Sequence, residues 1–525
     1  MVLAPEKGLS ARKEEETAAR LAAYKEGLTE EELVRLVSDT KALQAYQEEE
    51  DPPEAQTCIP LLSRSDISPD IPVKLSNEEF ETEGIRGVRH IYQTNGIGYL
   101  TILFDTTKVP KEKLLYLGLL QTVLGHVSTE QYSYGELFHQ INAYSGGISF
   151  RLSSYPRNRG EEGDVGYQML GIRAKYLYSQ QAFVFRMIKE ILFTSKIEDQ
   201  KRLRELLNVT IITLEQGMQS SGHLAAATRA MARTSELSAW ADRTGGISAY
   251  RAFREISRAF DEDPETLFAE LREVMKLVFR PENMLVSMTA EEEGFTGLED
   301  EIRALKQILE EKKTEIDPSS VRLPEESLLL PPVTEGFKTS GQIQFVAVAG
   351  NFRRAGLPYT GRLRVLRTLL SYDYLWMNVR VLGGAYGCMT FMKRSGDVYL
   401  VSYRDPHLAE TLEIYRKIPE YLEKIELDDR TITKYVIGAI SEMDHPMNAS
   451  AKGDYSLLAF MTGLTDEIFQ KEREEILSVA EEGIRSLAGH MRTATEGGFL
   501  CVIGGETAVE EQKALFDQIE ALIGG

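Results

Sequence analysis

Cysteine is scarce: Cys58, Cys388 and Cys501 are the only three in 525 residues, and they lie far apart. That spacing excludes a paired-cysteine zinc knuckle and suits a reducing compartment. Long apolar runs are missing too, since none reaches the roughly 18 residues that span a bilayer. The opening stretch, MVLAPEKGLSARKEEE, turns acidic with no apolar core, so no secretory signal is read there and the expected location is the cytoplasm. Positive charge is in deficit, with 60 Lys and Arg against 81 Asp and Glu, a net charge of −21. A nucleic-acid partner needs clustered cations to neutralise phosphates, so it is not expected here, and neither is a membrane. The acidic excess reads either as a solubilising surface or as a cavity that favours basic ligands.

Catalytic signatures are equally sparse. The seven histidines are His90, His126, His139, His223, His407, His445 and His490, and no two have the spacing of His-Glu-x-x-His or its inverse. His126 and His139, with Glu130 and Glu136, form the nearest group, but a loop between them makes caps or surface residues the better reading. His445, beside Glu442 and Asp444, reads as a polar loop ending a helix before Pro446. There is no Gly-x-Ser-x-Gly elbow, no cysteine with a nearby histidine and no phosphate loop of the Gly-x-x-x-x-Gly-Lys type. The expectation is a chain that binds no metal or cofactor of its own.

What is present is a repeated grammar of strands and helix blocks. Residues 10–50 read as two helices: Gly27 ends the first, and LTEEEL opens the second with a Thr29/Glu32 capping box and a Leu28/Leu33 staple. From about residue 85 the pattern is mixed. Asn95-Gly96 predicts a hairpin between two β-rich runs. Helices are expected from Pro110 and from Ser133, the latter with Glu136 completing a capping box. ISFRLSSY and GYQMLGIRAKY read as strands, residues 177–275 as helical and NMLVSMTA as a closing strand. Residues 291–335 read as a helix and a proline-rich linker. GQIQFVAVAG, AYGCMTFMK, DVYLVSYR and GGFLCVIGG are the strands of the remainder, with helices over 407–490 and a terminal helix.

Laying INAYSGGISFRLSSY over VRVLGGAYGCMTFMK registers Gly146-Gly147 with Gly383-Gly384, with extra residues in the loop near Arg159. Helices in blocks argue against a doubly wound parallel sheet. The expected fold is α+β, with two similar units, each a sheet with helices on one face, after a helical hairpin arm. The boundaries read as 1–55 for the arm, 56–320 for the first domain and 321–525 for the second.

One segment stands out chemically: NVRVLGGAYG, residues 378–387. It follows a helix and is not Gly-x-Gly-x-x-Gly, so a dinucleotide loop is excluded. Gly383 and Gly384 let backbone or ligand approach closely. Arg380 offers a planar fork of donors and Tyr386 a hydroxyl on a rigid ring, a pair able to hold a carbonyl or an oxyanion. The plainer alternative pairs Arg380 with a local acid such as Asp373, buries Tyr386 in the core and leaves the glycines to end a helix. The first unit has no arginine in the matching segment, so the fold itself does not demand Arg380.

LAAYKEGLTEEELVRLVSDTKALQAYQEEEDPPEAQTCIPLL, PENMLVSMTAEEEGF and YLWMNVRVLGGAYG together resemble the C-terminal half of the presequence-protease branch of the M16 (pitrilysin/insulinase-like) zinc metallopeptidases. The likeness runs in order along essentially the whole chain. It implies four α+β units in a long chain, two halves joined by a helical hairpin and closing around a peptide, and zinc held by the first half. It also implies that Arg380 and Tyr386 bind substrate backbone near the scissile bond, flanked by Gly383 and Gly384. MVLAPEKGL resembles an interrupted strand of a preceding unit, so Met1 is expected to lie within a longer chain. The implied function is the non-catalytic, substrate-binding half of a peptidase that degrades short unstructured peptides, basic ones by charge, its partner being the catalytic half in cis or trans. The alternative is a standalone inactive subunit or scaffold that pairs with a separate zinc-bearing chain.

Overall fold

The computed structural model describes residues 8–49, 52, 54–55, 58–157, 166–316, 321–323 and 326–523. The strand expected at the start and the insertion near Arg159 fall outside these residues, except that Leu9 already begins a helix.

Residues up to Leu62 form one unit and Ser63 onward another. The first unit carries helices Leu9–Gly27 and Glu30–Glu48. Thr29 and Glu32 close the expected capping box, each side chain bonding the other's backbone N–H. Gly27 is the last helical residue and keeps a negative φ, so the left-handed cap expected of it is not used.

The larger unit holds two six-stranded sheets. The first uses β1 (Glu78–Thr82), β2 (Ile85–Ile91), β3 (Ile97–Asp105), β4 (Ile148–Pro156), β5 (Gly166–Leu177) and β6 (Met284–Ala290), in the order β1-β2-β6-β3-β5-β4. The second uses β7 (Glu335–Thr339), β8 (Phe345–Asn351), β9 (Gly387–Met392), β10 (Asp397–Tyr403), β11 (Phe499–Gly505) and β12 (Gln518–Ala521), in the order β12-β7-β11-β8-β10-β9. From β2 and from β7 the two orders coincide, each with a parallel pair (β2 with β6, β7 with β11) followed by antiparallel neighbours.

Two sequence readings are corrected here. Asn95 and Gly96 do turn the chain with positive φ of 53° and 80°, as a type I′ turn requires. Yet β2 and β3 do not pair, because the almost wholly buried β6 inserts between them. A turn signal fixes a reversal and leaves the partner open; a more apolar strand took the central place. The hairpin lies one turn earlier, where Glu83 and Gly84 (φ 49° and 85°) join β1 to β2. The expected terminal helix is only Glu506–Glu511, after which the chain returns as β12, parallel to β7.

Each sheet packs its own helices on one face. Along β3, Ile102 and Phe104 enter the core shared with Leu117, Leu120 and Ile188, while Leu103 points the other way, as strand alternation dictates. That opposite face is covered by the helix Ala449–Thr462 from the chain's C-terminal part, through Leu457 and Met461. The exchange is reciprocal. Phe345, Ala347 and Ala349 of β8 meet Ala226, Ala230 and Met231 of the helix Gly222–Met231. Both helices approach closely: a Cβ on Gly453 would collide with the Thr289 side chain, and one on Gly222 with the Phe345 ring. A buried ion network reinforces the seam, with Arg229 bonding Asp242 at 2.8 Å and Glu335 at 2.7 Å, and Arg233 reaching Glu335 at 2.6 Å. Burial pushes the Glu335 carboxyl up, but the Arg229 fork and Arg233 together hold it below its usual value.

Candidate functional site

The segment that carries Arg380 begins as an α-helix, Arg362–Leu369, and then widens into π-helical turns over Leu370–Tyr374 and Trp376–Leu382. Its counterpart in the first unit, Tyr134–Tyr144, is an ordinary α-helix opened by the expected Ser133/Glu136 box. π-Helical turns are uncommon and cluster at functional sites. Gly384 ends the segment at φ 77°, its N–H donating to Arg380 O at 2.9 Å, and Ala385 N–H donates to Val379 O at 3.1 Å. A Cβ on Gly383 would lie 2.5 Å from Val379 O. The glycine pair therefore answers to the backbone: Gly384 for its φ, Gly383 for its close approach.

Arg380 and Tyr386 are brought together across that turn. The Arg380 guanidinium carbon lies 3.9 Å from the Trp376 ring centre and 5.9 Å from that of Tyr386. Among the described residues Arg380 makes no ion pair and no side-chain hydrogen bond. The acid proposed as its local partner, Asp373, is instead taken by the Tyr435 hydroxyl and by Lys434 Nζ at 3.4 Å. Tyr386 is not a core residue either, being 66% exposed.

Tyr386 is anchored through its backbone. Its N–H donates to Tyr403 O at 3.1 Å and Arg404 O at 3.3 Å, and its ring meets that of Tyr403 edge-on at 5.6 Å. Arg404 sits at φ 50°, unusual for a residue with a Cβ. The next residue explains the turn: buried Asp405 accepts from His407 N–H at 2.9 Å and Thr411 Oγ1 at 2.7 Å, and its main chain exchanges bonds with Gln344. Burial raises the Asp405 carboxyl above its ordinary value, with those donors opposing the rise. Cys388, just beyond, is buried beside the Tyr415 hydroxyl and pushed up to about 12, so it is an inert thiol.

Trp376, Tyr372 and Asp405 escaped the sequence reading. Trp376 had a signal, since it is one of two tryptophans and stands four residues before Arg380, on the same helical face.

Among the described residues no group of His, Cys, Asp and Glu could hold a metal ion. His126 gives only its carbonyl, to Arg202, and the His139 ring meets Phe138. The donor set of a zinc site is thus not assembled from these residues. Among the described residues no helix is long and apolar enough to cross a membrane.

Two layers of helix on paired sheets, a glycine-ended helix and an arginine–tyrosine couple with no metal-ligand set define a peptidase-like α+β body of the M16 type. Comparison with known proteins narrows this. The model for the associated region of peptidase family M16, subfamily C, matches residues 3–256, and "PreP C-terminal domain" matches residues 334–503. Protein HypA of Clostridium perfringens is 33% identical over 99% of this chain and 52% of its own length. Presequence protease 1, chloroplastic/mitochondrial, of Arabidopsis thaliana is 29% identical over 99% of this chain and 47% of its own. The chain thus spans about half the length of the curated relatives it matches. Among solved structures, the peptidase M16 inactive domain from Pseudomonas fluorescens superposes with a TM-score of 0.59 at 13% identity, covering 82% of this chain and 98% of that one. The periplasmic protease PqqL from Escherichia coli gives 0.54 at 12% identity, over 92% and 52%. The chain belongs to subfamily C of the M16 peptidases, the presequence-protease-like branch, and corresponds to its C-terminal half.

Proposed function

We propose that this chain is the non-catalytic, substrate-binding half of a zinc-dependent endopeptidase that degrades short unstructured peptides. Arg380 and Tyr386 contact the substrate backbone near the scissile bond, with Gly383 and Gly384 shaping the approach. Zinc belongs to the catalytic N-terminal half, which pairs with this one in cis or trans. The observation that carries the reading is the state of Arg380: held against two aromatic rings, with no acid claiming its fork. Such a cation is positioned in advance for a carbonyl or an oxyanion. The acidic balance of −21 favours basic peptides, and the cysteine usage favours the cytoplasm. The two units read as an internal repeat, divided as domains at 320/321 after an arm ending near residue 55.

A standalone inactive subunit is the second reading, favoured by the 98% coverage of the Pseudomonas fluorescens inactive-domain chain. Arg380→Lys in the assembled enzyme tests the first. It keeps charge and loses the fork, so kcat should fall about a hundredfold. Unchanged turnover would return Arg380 to a packing role.

A further inference from the structure

We propose that the free edge of β9 binds an extended peptide, which joins the second sheet as an added strand and runs from Arg380 to an aromatic-walled pocket. The inference rests on the reading of Arg380 as a substrate contact and names how the substrate is held beyond it.

β9 is the last strand of its sheet and pairs only with β10 among the described residues. One row of its N–H and C=O groups therefore lacks a strand partner, a template for another chain. A cleft of about 250 Å³ touches every residue from Gly387 to Phe391. Side chains alternate between the two faces of a strand, so a cavity that meets consecutive residues must follow the edge. Its other wall is the π-helical segment, through Tyr372, Trp376 and Arg380. The cleft is thus bounded by unpaired backbone on one side and aromatic rings on the other, with an acid-free cation at one end. That combination suits an extended main chain.

The far end sets a side-chain preference. There Arg367 lies 4.1 Å over Phe391 and bonds Glu442 at 2.8 Å. A second cavity of about 700 Å³ shares Thr368, Tyr372 and Glu442 with the cleft and continues to Tyr435 and His445. Its charges are already matched: Glu442 by Arg367, and Asp373 by Tyr435 and Lys434. An aromatic or large apolar side chain fits two tyrosine walls without leaving a charge unpaired.

Strand addition has a signature that no protein variant needs to reveal. The probe is a fluorescein-labelled, N-acetylated peptide of about eight residues, serine alternating with phenylalanine, followed by anisotropy with the intact chain. Methylating one peptide nitrogen at a time should weaken binding about tenfold at every second position and leave the positions between unchanged. Tyr372→Ala should weaken the phenylalanine peptide and spare one with alanine in its place. No binding, or a loss uniform along the peptide, overturns the proposal. So does self-association that the peptide fails to compete with, which would mean that a second copy holds the edge. Arg380→Lys separates the two readings. A fall in turnover without the alternation leaves Arg380 as a substrate contact and removes strand addition; alternation indifferent to Arg380→Lys does the reverse.

Discussion

The guanidinium of Arg380 lies 3.9 Å from the centre of the Trp376 ring, and this stack, not an ion pair, fixes where its donors point. A stack of this exposure is worth about 1 kcal/mol. Trp376→Leu should therefore lower kcat/KM of the assembled enzyme about fivefold, with the unfolding midpoint of the chain unmoved. A variant whose kinetics match the parent would show that the ring does not position the arginine.

Trp240 and Trp376 report on different places. Trp240 is 3% exposed and Trp376 40%. Acrylamide should quench only the second, and any peptide that occupies the β9 cleft should shield it. Equal quenching of both tryptophans would contradict this geometry.

His90 predicts an acid-side loss of stability. Its Nδ1–H donates to Ser76 O at 2.7 Å, which leaves Nε2 to accept from the Ser287 hydroxyl at 3.0 Å. Burial pushes the imidazole down to about 4, from a usual 6.5. The unfolded chain therefore binds the extra proton first, and stability falls as pH drops from about 6.5 to about 4, by about 3 kcal/mol at most. Urea unfolding of parent and His90→Gln across that window should show a shallower pH slope in the variant. Parallel slopes would mean that His90 titrates normally.

Glu335→Gln removes the carboxylate shared by Arg229 and Arg233 and leaves buried cations short of an acceptor. The expected cost is about 3–5 kcal/mol at neutral pH. Because the carboxyl is held below its usual value, the parent's advantage stands at neutral pH and shrinks as pH falls through that lowered value. Unfolding curves that differ equally at neutral and strongly acid pH would refute the charge argument.

Gly453→Ala should destabilise by about 1–3 kcal/mol, since Thr289 is β-branched and cannot step aside. Thr289→Ala in the same chain should recover most of that loss. A double variant no better than Gly453→Ala alone would place the strain elsewhere.

Local chemistry was legible in the sequence where it acts locally. The Thr29/Glu32 and Ser133/Glu136 boxes, the Gly383-Gly384 stop and most strands stand where short-range rules put them. β1 and β7 were missed because EEFET and EGFKT are short and charged, and only their neighbours make them strands. The partner of Asp373 was missed for a similar reason: Tyr435 is distant in sequence and arrives by helix packing. The π-helical widening leaves no periodic mark that a 3.6-residue pattern detects.

The traded helices have a mechanical consequence. With Gly222–Met231 seated on the second sheet and Ala449–Thr462 on the first, any bend between the sheets would have to tear both seats and the Arg229–Glu335 network at once. Residues 63–525 therefore act as one stiff jaw. Its grip on a ligand cannot come from flexing in the middle, and neither sheet can be excised to make a smaller working part.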